Sequence, residues 1–294
     1  MSTFNNESID EIRAVSDITQ KQLKSLNSLR VKINWFNRFH VVDGIEKERY
    51  DLDKLYFLIK SWQGPLSNFR DIFLKKEINC LLSDSINYIQ RGRQHEGELI
   101  IKFVARTGFR DEPKVDKKGK PLLHRTTPVH LAARFNVTGT VVRELFKIYN
   151  RFDVNYIDKL GRTHFHVACM YGFVDVVEKF LELGQDPNCL TKKSIDPPLI
   201  LALDHHHWQL AEILLKNNAD PNVANAKGLT ALHIIVLGDD DGSLNAFFKI
   251  NDERLQTVQI DARTKLGNTP LHLAMRRRNN TMVEILLRRG ADSN

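Results

Sequence analysis

Four histidines recur at one fixed place in a repeating pattern of this 294-residue sequence: His130, His166, His233 and His272. Imidazole is both a common metal ligand and a general base, so these are the first candidates for chemistry. Neighbours stand 36, 67 and 39 residues apart, with Ile200 holding the equivalent place in the long interval. One histidine per repeating unit does not converge on one ion, and the expected role is a hydrogen bond bridging adjacent units. His205-His206-His207 falls on a turn, where adjacent side chains diverge and no cysteine or carboxylate completes a tetrahedral set. His164, His166 and Cys169 share one helix, but two of them occupy repeat positions and read as packing. Asp239-Asp240-Asp241-Gly242-Ser243 lacks the D-x-D-x-D-G alternation and the twelfth-position Glu of a calcium loop, and reads as an acidic surface loop. No G-x-x-x-x-G-K-[ST], G-x-S-x-G or H-E-x-x-H is present. The expectation is therefore no catalytic centre, no metal and no cofactor.

Composition agrees with a folded chain that works by contact. The 42% hydrophobic and 27% charged fractions are those of a globular protein, and no apolar run is long enough for a membrane span. The polar start, Met1 to Asp10, lacks a signal-peptide pattern, and Cys80, Cys169 and Cys189 read as thiols of a reducing compartment. A cytoplasmic location is expected, with the nucleus as the alternative. The net charge of +7 raises the question of nucleic acid, and residues 1–125 carry a basic excess of six against one for 126–294. That excess is dispersed, and the aromatic–basic interleaving of a base-stacking platform is missing, so nucleic-acid association is the disfavoured reading.

The histidines belong to a larger pattern. Thr126-Thr127-Pro128-Val129-His130-Leu131-Ala132-Ala133 returns as Thr163-His164-Phe165-His166-Val167-Ala168-Cys169 and as Pro197-Pro198-Leu199-Ile200-Leu201-Ala202. It returns again as Thr230-Ala231-Leu232-His233-Ile234-Ile235 and Thr269-Pro270-Leu271-His272-Leu273-Ala274, at intervals of 33 to 39 residues. Gly184, Asn218 and Gly290 follow the first position by 21 residues, and Asp-x-Asn closes units at Asp153, Asp186, Asp220 and Asp292. Threonine there caps a helix and proline is preorganised for its first turn. The small residues let helices approach, a second apolar helix follows, and Gly or Asn takes the left-handed C′ position. His164 in place of Pro, and Pro197 and Ile200 in place of Thr and His, predict weakened starts in the second and third units.

These residues resemble ankyrin repeats, whose signature is T-P-L-H-x-A at a period of about 33. The text from Arg125 through Cys189 is also similar to uncharacterised ankyrin-repeat proteins of insects. The resemblance implies an all-α, right-handed solenoid of five to six helix-turn-helix units. It places a degenerate repeat at 83–114, pairing Ser85–Gln90 with Glu98–Gly108, and five recognisable repeats at 115–294, the fourth carrying an insertion from Gly238 to Gln259. Some relatives add a C-terminal module that recruits a ubiquitin ligase. The sequence ends at Asn294 directly after a repeat, so no such module is expected and the ligase-receptor role is an alternative only. The same ending predicts a last helix, Val283 to Leu287, with an uncovered apolar side, suited to self-association or fraying.

Residues 1–82 carry no repeat marks. Ser8-Ile9-Asp10-Glu11 is a capping box, and apolar residues from Ile12 to Phe36 predict one long helix. Shorter helices are expected at Leu52–Ser61 and Pro65–Leu82, the whole forming a helical cap or a partner-binding arm.

The function implied by the resemblance is non-catalytic binding of a protein partner, as an intracellular scaffold or adaptor, through the solenoid's concave face and turn tips. In this sequence the tips hold Lys117, Lys118, Lys120, Lys159, Arg162, Lys193, Lys227 and Lys265. The inner positions hold Arg134, Phe135, Met170, Tyr171, Asp204, His205, Arg276 and Arg277. A Lys or Arg at every tip and an apolar centre at Phe135, Met170 and Tyr171 predict a groove for an acidic peptide or domain.

Overall fold

Four of the repeats begin where a threonine turns the chain into a helix. In a computed structural model describing residues 20–31, 44–62, 72–189 and 195–293, with backbone alone over 44–51, Thr163 lies in extended backbone and accepts from the His166 N–H. The Thr163 hydroxyl is 2.6 Å from His166 Nδ1, which also takes the Thr163 N–H at 3.3 Å. The same reciprocal box stands at Thr127/His130, Thr230/His233 and Thr269/His272, satisfying donors that a helix start leaves orphaned. The second repeat thus keeps the cap its sequence seemed to forfeit: His164 is buried, edge-on to Tyr156 with ring centroids 5.3 Å apart. The third repeat does lose it, since Pro197 makes no side-chain cap and buried Ile200 offers no acceptor.

The chain divides into two compact units, residues 1–112 with 127–150 and residues 113–126 with 151–294. Six helices are described in the first: α1 (20–31), α2 (Gly44–Lys60), α3 (Lys75–Gln90), α4 (Gln94–Arg106), α5 (Pro128–Arg134) and α6 (Gly139–Ile148). The second holds α7 (His164–Met170), α8 (Val174–Glu182), α9 (Pro198–Asp204), α10 (Trp208–Lys216), α11 (Ala231–Gly238), α12 (Asp241–Glu253), α13 (Pro270–Arg277) and α14 (Asn280–Arg288). Among the described residues there is no strand, only isolated bridges such as His124 with Ile157. Both units are all-α and built from stacked helix pairs.

Two expectations about elements are corrected. The separate helices placed at Pro65–Leu82 and Ser85–Gln90 are, within the described residues, one helix α3 running unbroken through both. Ser83 and Ser85 do not break it, because their hydroxyls turn inward to the carbonyls of Asn79 and Leu81 at 2.9 and 2.8 Å. The acidic run at Asp239 is not a loop but a helix start. Asp239 takes a left-handed φ of 59°, Asp240 accepts from Gly242 N–H, and the inserted residues lengthen α12 to 13 residues against nine in α8 and α10. The capping box at Ser8–Glu11, residues 12–19 and 32–36 of the long predicted helix, residues 65–71 of the one placed from Pro65, and Lys193 lie outside the described residues.

Stacking within the second unit is fastened by asparagine. Asn188 Nδ2 donates to the Asn218 carbonyl at 2.9 Å while its Oδ1 takes the Asp220 N–H at 2.7 Å. Asn222 repeats the clasp one unit on, to the Thr257 carbonyl and the Gln259 N–H, both at 2.7 Å. The closing Asp-x-Asn is therefore an inter-repeat fastener as well as a turn. In the last repeat α14 buries Met282 and Leu286, whereas α10 buries Leu210, Ala211, Leu214 and Leu215. His272 is exposed, while His130, His166 and His233 are buried.

The buried imidazoles make stability depend on pH. His233 Nδ1 takes the Thr230 N–H, so its proton resides on Nε2, which donates to the Asn268 carbonyl of the next repeat at 3.2 Å. Burial lowers its pKa from the ordinary 6.5, outweighing the carbonyls of Asn268 and Ala262. Burial likewise lowers that of His207, whose Nε2 faces the Met170 carbonyl at 3.1 Å. Below pH about 6.5 the unfolded chain binds protons that the folded chain refuses, so the stabilisation is complete above that pH and is lost as pH falls through the folded values. Urea unfolding at pH 7.5 and 5.5 is expected to show lower stability at 5.5, with a smaller drop in a His207→Gln, His233→Gln variant. An equal drop in both proteins would remove these two histidines as the cause.

Candidate protein-binding surface

The turn tips are built by a residue that the sequence reading passed over. Asp158 Oδ1 accepts the N–H groups of Leu160 and Arg162 at 2.9 and 2.8 Å, and the backbone closes beneath as Asp158 N–H donates to the Arg162 carbonyl. Asp116 does the same for Lys118 and Lys120, and Asn225 for Lys227 and Leu229. At the last tip Thr264 Oγ1 takes the Asn268 N–H at 3.2 Å. Side-chain oxygens thus substitute for backbone acceptors in a tight turn. Each turn needs a left-handed residue three positions on, supplied by Gly119, Gly161, Gly228 and Gly267 with φ between 78° and 93°. The signal was legible: Asp, Asn or Thr stands three residues before each of these glycines.

On these pinned turns Lys117, Lys118, Lys120, Lys159, Lys227 and Lys265 are exposed, and Arg162 is half-buried. Two tips also lift a leucine into solvent, Leu160 at 48% and Leu266 at 87% exposure. Neighbouring tips touch through backbone: Lys265 N–H donates to the Lys227 carbonyl at 3.0 Å, and Gly228 has no room for a Cβ, which would meet that same N at 2.9 Å. Among the described tips of the second unit, exposed lysines thus stand beside the exposed Leu160 and Leu266 on turns closed by internal hydrogen bonds.

The inner positions divide between the units. Arg134, exposed, and Phe135, half-buried, end α5 in the first unit. In the second, Met170 and Tyr171 end α7, Asp204 and His205 end α9, and Arg276 and Arg277 end α13. Tyr171 is less free than an anchor is expected to be. Its ring tilts against buried Phe173 with centroids 5.8 Å apart, and burial pushes its hydroxyl up to about 12 despite the nearby Arg162. The inner row is not uniformly basic. Asp196 is partly desolvated beside Asp204, and these two influences raise its pKa against the opposing Lys227. His205 is exposed and stacks on His207, ring centroids 6.4 Å apart. Cys169 is fully buried and its thiol is held well above its usual range by burial, then by Cys189, which makes it packing and no nucleophile. Among the described residues no group of His, Cys, Asp and Glu could hold a metal ion. No described helix is long and apolar enough to cross a membrane.

Paired helices, the Thr–His box and the Asx-pinned tips together define an ankyrin-repeat protein, and the comparison of sequences agrees. The family profile described as ankyrin repeats (3 copies) matches residues 94–191 and 199–294. The chain belongs to the ankyrin-repeat family. It is 29% identical over 176 residues to transient receptor potential cation channel subfamily A member 1 of Drosophila melanogaster, covering 56% of this chain and 14% of the channel. It is 29% identical over 174 residues to the B-cell lymphoma 3 protein homolog of Mus musculus, covering 57% and 37%. An ankyrin repeat protein of Fowlpox virus is 30% identical over 148 residues, covering 41% of this chain and 78% of its own. The match thus spans a small part of the channel, about a third of the mouse protein and most of the viral one.

Proposed function

We propose that this chain is a non-catalytic protein-binding scaffold or adaptor of the cytoplasm that docks an acidic partner on the tips and first-helix ends of its second unit. The expected boundary at 82/83 falls inside α3, so the repeat domain is assigned from the start of that helix at Lys75, with a helical region before it. One observation carries the reading: the tips hold Lys118, Lys159, Lys227 and Lys265 exposed on turns fixed by internal hydrogen bonds, with Leu160 and Leu266 exposed among them. Exposed apolar side chains on rigid backbone bind at little entropic cost, and ammonium groups beside them select a negatively charged surface. Tyr171, tied to Phe173, contributes its edge rather than a free ring. Asp204 and Asp196 interrupt the basic row and set a place where the partner must not be acidic.

Charge and apolar contact separate kinetically. Lys159→Glu with Lys227→Glu and Lys265→Glu is expected to slow association by about tenfold at low salt and to flatten its salt dependence, because rim charges mainly steer encounter. Leu160→Ser with Leu266→Ser should instead hasten dissociation about five- to thirtyfold, by the loss of about 1–2 kcal/mol of apolar burial. Surface plasmon resonance with a partner recovered by proximity labelling and then purified measures both. Wild-type rates in both variants would sink the reading, and equal binding to random duplex DNA would replace it with nucleic-acid association.

A further inference from the structure

Two hairpins of the second unit are built alike but differ in what their outer backbone groups touch. In the later one Ile157 and Thr163 face each other, with Asp158 N–H donating to the Arg162 carbonyl at 2.9 Å and His164 N–H to the Tyr156 carbonyl at 3.2 Å. In the earlier one Val115 faces Pro121, with Asp116 N–H donating to the Lys120 carbonyl and Leu122 N–H to the Lys114 carbonyl, both at 2.8 Å. Residues paired in this way turn their own N–H and C=O out of the hairpin. Pro121 therefore stands there without wasting a donor.

At Ile157 the outward groups are used. Its N–H donates to the Leu123 carbonyl and its carbonyl takes the Arg125 N–H, both at 2.9 Å, so residues 123–125 run beside it as a parallel partner. Val115 holds the equivalent place and is 56% exposed, and among the described residues its N–H and carbonyl have no partner. An open N–H and C=O on extended backbone are a template for another chain.

Charge selects that chain. Lys114, Lys117, Lys118 and Lys120 are exposed, and among the described residues no ion pair or hydrogen bond engages their ammonium groups. The acids beside them in sequence are all described and committed: Asp116 takes the Lys118 and Lys120 N–H groups, Glu112 lies 3.8 Å from Lys75, and Asp111 is buried. Alternation puts Val115 and Pro121 on one face of the hairpin and Lys114, Lys120 and Leu122 on the other. Pairing with a second copy would oppose lysine to lysine, and a nucleic acid has no alternating N–H and C=O to match the edge.

We propose that the Val115 edge is a β-augmentation site for an extended acidic segment of a partner protein, in which carboxylates alternate with apolar side chains. The segment runs parallel to residues 114–116, as 123–125 runs beside Ile157. Its carboxylates lie on the face of Lys114 and Lys120, and its apolar side chains lie beside Val115 and Pro121. The inference deepens the tip reading and rests on it for the partner being a protein.

Fluorescein-labelled peptides of alternating glutamate and valine, titrated with the full chain and followed by fluorescence anisotropy, test this. In the proposed register a valine lies opposite Val115, so the flanking glutamates carry both backbone hydrogen bonds. N-methylation of the glutamates should weaken binding about tenfold, and N-methylation of the valines, at equal charge, should leave it as it is. Val115→Pro deletes the outward N–H but no bond of the hairpin, and should weaken the parent peptide about fivefold with the salt slope unchanged. Lys114→Glu with Lys120→Glu should weaken it about tenfold and flatten the slope. Far-ultraviolet circular dichroism should be unchanged in both variants; if it is not, the two methylated peptides on the unaltered chain decide alone. Equal binding of the methylated peptides, no binding of the parent peptide, equal affinity for single-stranded DNA of the same charge, or self-association abolished by Val115→Pro would each overturn the proposal. Failure of the tip reading would show separately, as wild-type partner kinetics in the Lys159→Glu, Lys227→Glu, Lys265→Glu variant, where the Val115 edge is untouched.

Discussion

Replacing His233 by alanine is expected to destabilise the second unit by about 2–3 kcal/mol, and to do so by uncoupling its last two repeats. The imidazole is 0% exposed and serves three partners. Its Nδ1 faces the Thr230 N–H at 3.2 Å and the Thr230 hydroxyl at 2.8 Å, and its Nε2 the Asn268 carbonyl at 3.2 Å. Alanine leaves a buried N–H and a carbonyl to find other partners and opens a cavity the size of a ring; each lost bond costs about 1 kcal/mol net, and the unmet donor more. Because a solenoid is held by nearest-neighbour terms, the loss should localise. Hydrogen exchange in α13 and α14 should quicken while α8 keeps its protection. His272→Ala is the control, because His272 caps Thr269 at 2.7 Å but is itself exposed, and should cost under about 1 kcal/mol. Equal urea midpoints for the two variants would show that His233 is a cap and nothing more.

Much of this architecture could be read from residue types because the same physical task recurs in each repeat. A threonine three residues before a histidine announces a reciprocal cap wherever it occurs, and all four sites form it. The C′ marks Gly184, Asn218 and Gly290 adopt φ of 84°, 69° and 94°, as a left-handed stop requires. Legibility failed where one helix was divided in two. The sequence reading ended a helix at Leu82 and began another at Ser85, but the hydroxyls of Ser83 and Ser85 bond back to the preceding turn and α3 continues. Leu255 occupies the C′ place of the fourth repeat with a positive φ of 54° and 93% exposure, which neither propensity nor burial would select.

The candidate binding surface was readable in outline only. Periodicity locates the tips, and composition says that lysine sits on them, so the exposed ammonium groups follow. The rigidity of the tips needed the Asp116, Asp158 and Asn225 side chains, which look like ordinary loop residues until their oxygens are seen to accept two N–H groups each. The acidic interruption at Asp196 and Asp204 comes from two residues eight positions apart that only the turn of the chain brings near. Tyr171 is half-buried, with its ring tilted against buried Phe173 two residues on, a local contact that residue type alone does not show.

Gly97→Ala should destabilise the first unit by about 1–2 kcal/mol, although the same change in an isolated helix would stabilise it by about 1 kcal/mol. Gly97 lies in the first turn of α4, with no need of a positive φ, so conformational freedom is not what glycine supplies there. What it supplies is space. A Cβ at that position would lie 2.5 Å from the Ser85 carbonyl oxygen and 2.6 Å from Ile89 Cγ1, both on α3. Ile89 can turn its side chain, but the Ser85 carbonyl belongs to the helix backbone, so relief requires the two helices to part. Ser85, Ile86 and Ile89 on one side and Ile100, Ile101 and Val104 on the other are all buried, and parting loosens this face along its length. Overpacking of about one methyl in such a site costs about 1–3 kcal/mol, enough to exceed the gain in helix propensity. Gly92→Ala provides the contrast: nothing lies within 4 Å of its Cβ, but its φ is 87°, so it should lose about 1 kcal/mol through backbone strain alone and leave the α3–α4 packing intact. Urea unfolding gives the two stabilities, and near-ultraviolet circular dichroism of the aromatic groups around α3, Tyr88 and Phe103 among them, separates the causes. A Gly97→Ala protein as stable as the original, with an unchanged near-ultraviolet spectrum, would show that α3 and α4 are not in fact held at the distance that excludes a side chain.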